Sequence, residues 1–180
     1  MAIITSPRRS GQDGPNMSSS VKLFFLCGKM ASGKSTLARE LALRNSAVLL
    51  AQDEFLGSLF PGEITDIPSF VERSSRLKNA LAPHICALLS KGVCVVLDFP
   101  ANTKTQRAWF RDLLGRADVE HELHFIEASD ALCKSQLNDR SRHLPQGTAW
   151  TTDAEFDAIT AYFEPPSVDE GFNVVLHVRG

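Results

Sequence analysis

The stretch LFFLCGKMASGKSTLARELAL, residues 23–43, decides the fold of this chain. An apolar run leads into a glycine-containing turn, and apolar residues then recur at the i, i+4 spacing of a helix, at Leu37, Ala38, Leu41 and Ala42. The turn, residues 28–35, fits the pattern G-x-x-x-x-G-K-[ST], known as the P-loop or Walker A motif. A strand before this pattern and a helix after it are the context in which it binds nucleotide phosphates.

The residue types of the motif explain its chemistry. Glycines let the backbone curl, so that its N–H groups face the phosphates at a helix N-terminus that already favours anions. We expect Lys34 to reach the terminal phosphates and the Ser35 hydroxyl to ligate Mg²⁺. The alternative is a glycine turn that contains an unrelated lysine.

The rest of the chain alternates between predicted strands and helices. The further strands are SAVLLAQ, GVCVVLDF, EHELHFIEA and FNVVLHV. The segment after the second strand is interpreted as a loop, and Pro83 is expected to kink or divide the long helix that follows it. Further helices are predicted in TKTQRAWFRDLLGRA, in SDALCKSQLNDRSR with Ser129 as its cap, and from Asp153 to Phe163. Five such units predict an open parallel sheet with helices on both faces.

Length and composition limit the possible classes. The 180 residues suit one domain, which we assign to residues 21–180, after a flexible polar tail at residues 1–20. Met17 is an alternative start. The net charge of −2 gives no basic excess for coating nucleic acid. The four cysteines form no C-x-x-C pair and are expected to be small buried hydrophobes. No apolar run approaches the ~18 residues of a membrane helix, and no signal-peptide core is present, so we expect a cytoplasmic protein.

Two acids follow predicted strands, at the edge where ligands bind in open α/β sheets. Asp98 ends the third strand, where a Walker B aspartate meets the magnesium shell, and we expect it to act through water. Asp53 follows the second strand and is a candidate general base for an acceptor hydroxyl. It is alternatively a second magnesium-shell group or a loop cap, and Glu54 is its local competitor. Asp98 is alternatively a helix cap.

Several arginines are candidates for contacts with phosphates or with an acceptor. Arg140 and Arg142 precede a segment with Pro and Gly, which predicts a short lid at about residues 140–152 whose guanidinium groups close over the transferred phosphoryl group. A solvated helix end is the alternative. Arg73 and Arg107 are possible acceptor-binding residues, and for Arg107 a surface salt bridge is an equal alternative. Phe55, Leu56, Leu59 and Phe60 line an acceptor pocket or pack in the core.

Missing motifs exclude several P-loop classes. The chain has no N-K-x-D, which disfavours a switch GTPase, and no L-S-G-G-Q, which disfavours a transporter ATPase. Phe99, and not a glutamate, follows Asp98, so the water-activating acid of motor and AAA-type ATPases is missing. A compact P-loop kinase with a lid between the fourth and fifth strands remains.

The motifs GKMASGKST, QDEF, VVLDFPANTKTQRAWFR, LNDRSR and DEGFNVV together resemble bacterial P-loop ATP-binding proteins of the zeta-toxin and polynucleotide-kinase-like group. Chloramphenicol phosphotransferase and gluconate kinase belong to the same broader set. The resemblance covers about residues 21–178, and it implies an adenylate-kinase-like sheet in the order 2-3-1-4-5. It implies ATP binding at Gly28, Lys29, Met30, Ala31, Ser32, Gly33, Lys34, Ser35 and Thr36, an acceptor-side aspartate at Asp53, and lid arginines at Arg140 and Arg142.

These observations together predict an ATP- and Mg²⁺-dependent phosphotransferase that acts on a hydroxyl group. The stretch DEFLGSLF lacks the arginine that polynucleotide kinases carry after the second-strand aspartate, so we expect a small-molecule acceptor more than a nucleic acid. We expect no membrane partner and a monomer or homodimer. The alternative is a nucleotide-dependent regulatory or binding ATPase without a small-molecule acceptor.

Overall fold

The computed structural model describes residues 20–144, 148 and 151–180. Its five-stranded sheet has the order β2-β3-β1-β4-β5, and all of its neighbouring strands run parallel. The strands are β1 Lys22–Gly28, β2 Val48–Ala51, β3 Val95–Asp98, β4 Glu120–Ala128 and β5 Val174–Arg179. The predicted fold class and strand order are therefore confirmed. The proposed tail lies almost wholly outside the described residues, as does part of the proposed lid.

Six helices connect and cover the strands within the described part of the chain. They are α1 Lys34–Arg44, α2 Gln52–Leu59, α3 Ile67–Ser90, α4 Lys104–Ala117, α5 Asp130–Ser141 and α6 Asp153–Thr160. A short 3₁₀ helix, Val168–Glu170, precedes β5. None of the described helices combines the length and apolarity needed to cross a membrane.

One sequence prediction about helices was wrong, and the expected division of the long helix at Pro83 does not occur. Residues 52–59 form α2, and not a loop, because Leu56 on this short helix is buried while Phe55 and Phe60 pack against the same core. Pro83 does not divide α3, which continues through it to Ser90. Pro83 is exposed, and its ring therefore costs the helix a backbone hydrogen bond without disturbing the buried face.

The core lies on both sides of the sheet. The larger cluster packs α3 and α4 against one face, with Phe25 and Phe110 stacked at 4.4 Å between ring centroids. The smaller cluster packs α1 against the other face, through Ala38 and Leu41. Among the cysteines, Cys27 and Cys133 are buried, and burial raises the pKa of the Cys27 thiol to about 11. This thiol is a packing group, as predicted.

The strand register brings the candidate acids to one edge. β2 pairs with β3 so that Ala51 lies beside Asp98, and Asp53 comes two residues after Ala51 at the start of α2. The loop after Gly28 leaves β1 at this same carboxyl edge. Because parallel strands end together, the tertiary structure gathers segments that are far apart in the sequence.

Candidate active site

The loop of residues 28–33 is a curled backbone with little space for side chains. A Cβ atom on Gly28 would lie 2.7 Å from Ser32 Oγ and 2.9 Å from Ile126 O, which no real side chain tolerates. Gly33 has a φ of +100°, a left-handed value that favours glycine. The two glycines of the motif are therefore required by the shape of the loop.

The loop leads into a helix whose N-terminus has no side-chain cap. In α3, α4, α5 and α6 an N-terminal N–H group donates to a capping side chain, which belongs to Asp66, Thr103, Ser129 and Thr152 respectively. In α1 the cap position is Gly33, which provides none. The free N–H groups, together with the buried Ser32 hydroxyl that lacks a partner among the described residues, fit a bound phosphate chain.

Lys34 lies inside the curl of the loop. Its Nζ donates to Gly28 O and to Lys29 O, each at 2.7 Å. Burial lowers the pKa of Lys34, and the negative charges of Asp98 and Asp53 oppose that shift. A lysine held in this way is placed for phosphate oxygens, and Ser35 and Thr36 beside it present exposed residues at the first turn of α1.

Asp53 and Asp98 share an electrostatic environment. Partial burial and the charge of Asp98 raise the pKa of the Asp53 carboxyl, while Lys34 and Arg140 act in the opposite direction. Asp53 nevertheless keeps solvent-exposed surface, so an acceptor can reach it. Its competitor Glu54 faces Arg39 at the exposed surface, 3.9 Å away. The geometry thus favours Asp53 over Glu54 at the cleft.

The two candidate lid arginines separate in the structure. Both side chains are exposed, but Arg140 lowers the pKa of Asp53 through its charge, whereas Arg142 pairs with Asp139 at 2.7 Å. The fold brings Lys34, Asp53, Asp98 and Arg140 together, and it leaves Arg142 at the surface.

Arg107 lies in the protein interior, and all three nitrogen atoms of its guanidinium group donate hydrogen bonds there. The side chain is fully buried, and it donates to Glu170 and to the carbonyl oxygens of Ala101, Glu164 and Pro165. No part of it is left for an acceptor, and the salt bridge is buried and not at the surface as the alternative supposed. We therefore leave Arg107 out of the candidate site.

Arg73 lies on α3, which contacts α2. Its guanidinium stacks 5.0 Å from the Phe60 ring and pairs with Glu63 at 3.0 Å. Its side chain is partly exposed, and its Nε is buried without a partner among the described residues. Arg73 therefore stays a candidate for acceptor binding.

Two contacts to the loop come from residues that the sequence did not mark as part of the nucleotide site. Gly28 N–H donates to Asn102 Oδ1 at 3.0 Å, and Arg179 Nη1 donates to Ser32 O at 2.8 Å. The available signal was their position, because Asn102 follows the third strand and Arg179 ends the fifth. No cluster of three or more metal-ligating side chains occurs in the part of the chain that the structure describes.

Comparison with known proteins agrees with this geometry. The family model described as an AAA domain matches residues 23–166. The chain belongs to this AAA domain family. The family and its structural neighbours are consistent with a P-loop kinase-like, nucleotide-binding protein. No relative is found among curated protein sequences.

Solved structures share the fold at low sequence identity. A presumed kinase from Chloroflexus aurantiacus superposes with a TM-score of 0.69 at 17% identity, over 89% of each chain. Kti12 from Chaetomium thermophilum, in complex with ADP-AlF3, gives 0.62 at 14% identity, over 87% of this chain and 88% of that one. The APS kinase CysC of Mycobacterium tuberculosis, in complex with AMPPNP and APS, gives 0.53 at 21% identity, over 89% and 91%.

Proposed function

We propose that this protein is an ATP- and Mg²⁺-dependent phosphotransferase that transfers the γ-phosphate of ATP to a hydroxyl group of a small molecule. One observation carries the proposal: Asp53, in the first turn of α2, and Asp98, paired with Ala51 at the end of β3, lie at the sheet edge where the loop of Lys34 leaves β1. A binding module needs the loop and its lysine, but it has no use for a carboxylate held at the phosphate end of the cleft. A phosphotransferase needs such a group beside the acceptor.

The donor is held by the loop amides, Lys34 and the first turn of α1. Lys34 contacts the terminal phosphates as a compact positive charge. Mg²⁺, held by Ser35 and through water by Asp98, supplies neutralisation of phosphate charge when it is bound. Thr36 completes the contacts at the start of the helix.

Asp53 is the proposed general base. Its carboxylate accepts the proton of the acceptor hydroxyl as the oxygen forms a bond to the γ-phosphorus. The bond from that phosphorus to the β,γ-bridging oxygen breaks, ADP leaves, and Asp53 later gives its proton to solvent. A pKa that Asp98 and burial raise makes Asp53 a stronger base than an ordinary aspartate.

Arg140 is the proposed transition-state arginine. Its charge reaches Asp53 and therefore the space in which the phosphoryl group moves. An arginine in this role contributes ~10³ to 10⁵ in rate in related enzymes. Arg142 pairs with Asp139 and has a secondary role, if it closes with the rest of the lid.

The acceptor proposed here is a small hydroxyl compound, with Arg73 and Phe60 at one wall of its site. The net charge of −2 gives no basic surface for a nucleic acid. We further propose a cytoplasmic location and a monomer or homodimer.

The decisive experiment is a screen for ADP release with ATP and Mg²⁺ across sugars, hydroxy acids, antibiotics and short oligonucleotides. We expect at least one small hydroxyl compound to raise ADP release well above the background with water. Asp53→Asn should abolish that increase while the ADP affinity is kept. If only oligonucleotides raise ADP release, the acceptor class is wrong.

The second candidate is a nucleotide-dependent regulatory ATPase, and the exposed apolar face of β5 favours it. Val174, Leu176 and Val178 expose 40%, 54% and 73% of their surface on one side of this strand. Contiguous apolar patches of this kind often mark contacts with proteins. This candidate predicts tight ATP binding, slow hydrolysis and no acceptor that raises ADP release in the screen.

A further inference from the structure

Side chains from outside the Walker A motif form hydrogen bonds with both ends of the nucleotide loop. Gly28, at its start, donates its N–H to Asn102 Oδ1 at 3.0 Å. Ser32, near its end, accepts a hydrogen bond from Arg179 Nη1 at 2.8 Å. These partners are 74 and 147 positions away in the sequence, so no local pattern in the chain predicts them.

We propose that Asn102 and Arg179 are positioning residues that hold residues 28–33 in the shape that binds nucleotide phosphates. The inference rests on nucleotide binding at this loop. It does not depend on the identity of the acceptor or on phosphotransfer.

The hydrogen bond from Gly28 to Asn102 takes the place of a backbone hydrogen bond between β1 and β3. The ladder between β1 and β3 ends at the pair Phe25 and Leu97, whereas β1 continues to Gly28. The Gly28 N–H group therefore has no backbone partner on β3, and a buried N–H without a partner is costly. The Asn102 side chain takes the place of that partner and fixes the point at which the loop leaves the strand.

Asn102 is itself fixed on both sides of its backbone. Its N–H donates to Gln106 Oε1 at 2.8 Å, and its carbonyl oxygen accepts from Glu164 N at 2.9 Å. The preceding carbonyl, of Ala101, accepts from the buried Arg107 at 3.0 Å. The Asn102 amide is therefore presented to Gly28 from a rigid support.

The hydrogen bond from Arg179 to Ser32 O orients the peptide group that joins Ser32 and Gly33. In a planar trans peptide the C=O and the following N–H point in opposite directions. Arg179 holds Ser32 O toward itself, so the Gly33 N–H points to the opposite side of this peptide and stays available to a phosphate. This N–H is one of the donors that the motif supplies to the ligand.

The same contact gives Gly33 a second reason to be glycine. A Cβ atom at this position would lie 2.0 Å from Arg179 Nη1, so any side chain would push the guanidinium away. Arg179 also ends β5 beside Ala128 of β4, at the carboxyl edge of the sheet.

The test measures the affinity for MgADP by calorimetry on the full chain, without any acceptor. We expect Asn102→Ala and Arg179→Met each to weaken binding by about 3- to 10-fold, the loss of one ordinary hydrogen bond that shapes the site. The matched controls are Asn79→Ala and Arg116→Met, both on exposed helix surface, and these should bind MgADP as the wild type does.

Conservative variants separate positioning from charge. Arg179→Gln keeps an N–H donor and loses the charge, whereas Arg179→Met loses both. Positioning predicts that Gln recovers part of the affinity that Met loses. Asn102→Asp keeps the oxygen that accepts from Gly28 N–H and should preserve the shape of the loop. It provides a second test at this position if the Ala variant does not fold.

Hydrogen exchange without nucleotide supplies a readout that general destabilisation would not mimic. The amides of residues 28–33 should exchange faster in both variants, while the amides of residues 22–27 in β1 and those of β4 stay as protected as in the wild type. The proposal is overturned if folded Asn102 and Arg179 variants bind MgADP within 2-fold of the wild type. It is equally overturned if Arg179→Gln binds MgADP as weakly as Arg179→Met does. A protein that binds MgADP normally yet transfers no phosphate would contradict the proposed function and leave this inference standing.

Discussion

Arg107 and Glu170, which lie 63 positions apart, form a buried two-point ion pair. Arg107 Nε and Nη2 each donate at 2.7 Å, and the two side chains expose 0% and 8% of their surface. Arg107 also binds three backbone carbonyl groups, and the pair therefore ties the start of α4 to the segment before β5. Breaking a buried pair leaves a charge without compensation, which costs much more than an exposed pair contributes.

Arg107→Met should lower the free energy of unfolding by about 3–5 kcal/mol, because Glu170 and three carbonyl groups lose their partner. Urea unfolding followed by circular dichroism measures this. The matched control is Arg116→Met, which removes an exposed pair with Asp112 on the same helix and should cost under about 1 kcal/mol. Equal losses for the two variants would mean that the buried pair has no special role.

The same pair predicts a stability loss in acid. Arg107 and the Ser167 backbone hold the pKa of Glu170 at about 2, well below its ordinary value. Because this pKa is depressed in the folded state, its stabilisation is present above about pH 4.3 and is lost as the pH falls toward 2. Glu170→Gln should be less stable than the wild type at pH 7, and the difference should shrink as the pH falls through this window. A constant difference across it would refute the assignment.

Asp53→Asn should reduce kcat/KM for the acceptor found in the screen by ~10² to 10⁴, because the amide cannot accept the hydroxyl proton. The affinity for MgADP should change little, since Asp53 is not a loop residue. Glu54→Gln, one position away and paired at the surface with Arg39, is the matched control and should keep near wild-type activity. Wild-type turnover by Asp53→Asn would exclude Asp53 as the base.

Arg140→Gln and Arg142→Gln should differ. Arg140 acts on Asp53, and its loss should lower kcat by ~10³. Since Arg140 lowers the pKa of Asp53, its removal should also move the acid limb of the pH–rate profile to higher pH. Arg142, paired with Asp139, should show a small effect and no shift. A shift of the acid limb to lower pH in Arg140→Gln would contradict this geometry.

His124 should make the sheet sensitive to mild acid. Its ring stacks on His177, with Nδ1 2.9 Å from the partner Nε2, and burial and His177 lower its pKa while Glu122 opposes the shift. A lowered folded-state pKa means that stability falls as the pH drops below about 6.5, where the unfolded chain binds the proton more readily.

His124→Gln should flatten the loss of stability between pH 7 and 5, as measured by thermal unfolding across that range. His84→Gln, at an exposed position on α3, is the control and should leave the profile unchanged. If the slopes of wild type and His124→Gln coincide, His124 does not titrate in this range.

The residues that follow β2 form a helix that could not be predicted from the sequence. Phe55, Leu56, Leu59 and Phe60 carry the spacing of a short helix, but the segment starts without a capping side chain and contains Gly57. Local propensity therefore gave no clear start signal, and the packing of Leu56 against the core decided in favour of α2. Asp53 changed accordingly from the residue after a strand to a residue in the first turn of a helix.

Arg107 shows the same limit for the site. An arginine on an amphipathic helix is ordinarily exposed, and its only sign of burial is a glutamate more than sixty positions later. No sequence period connects residues at that distance, so the choice between acceptor binding and ion pairing required the tertiary structure.

The sequence by itself determined the phosphate loop, the five strands and the parallel sheet, because each depends on local spacing of glycines and apolar residues. Only the tertiary structure decided that Arg142 pairs with Asp139 while Arg140 lowers the pKa of Asp53, that Arg107 is buried, and that Asn102 and Arg179 hydrogen-bond to the loop. The physical reason is that these contacts form where the ends of parallel strands converge. Residues that are distant in the sequence come within hydrogen-bond range there, and no periodic pattern in the sequence indicates these contacts.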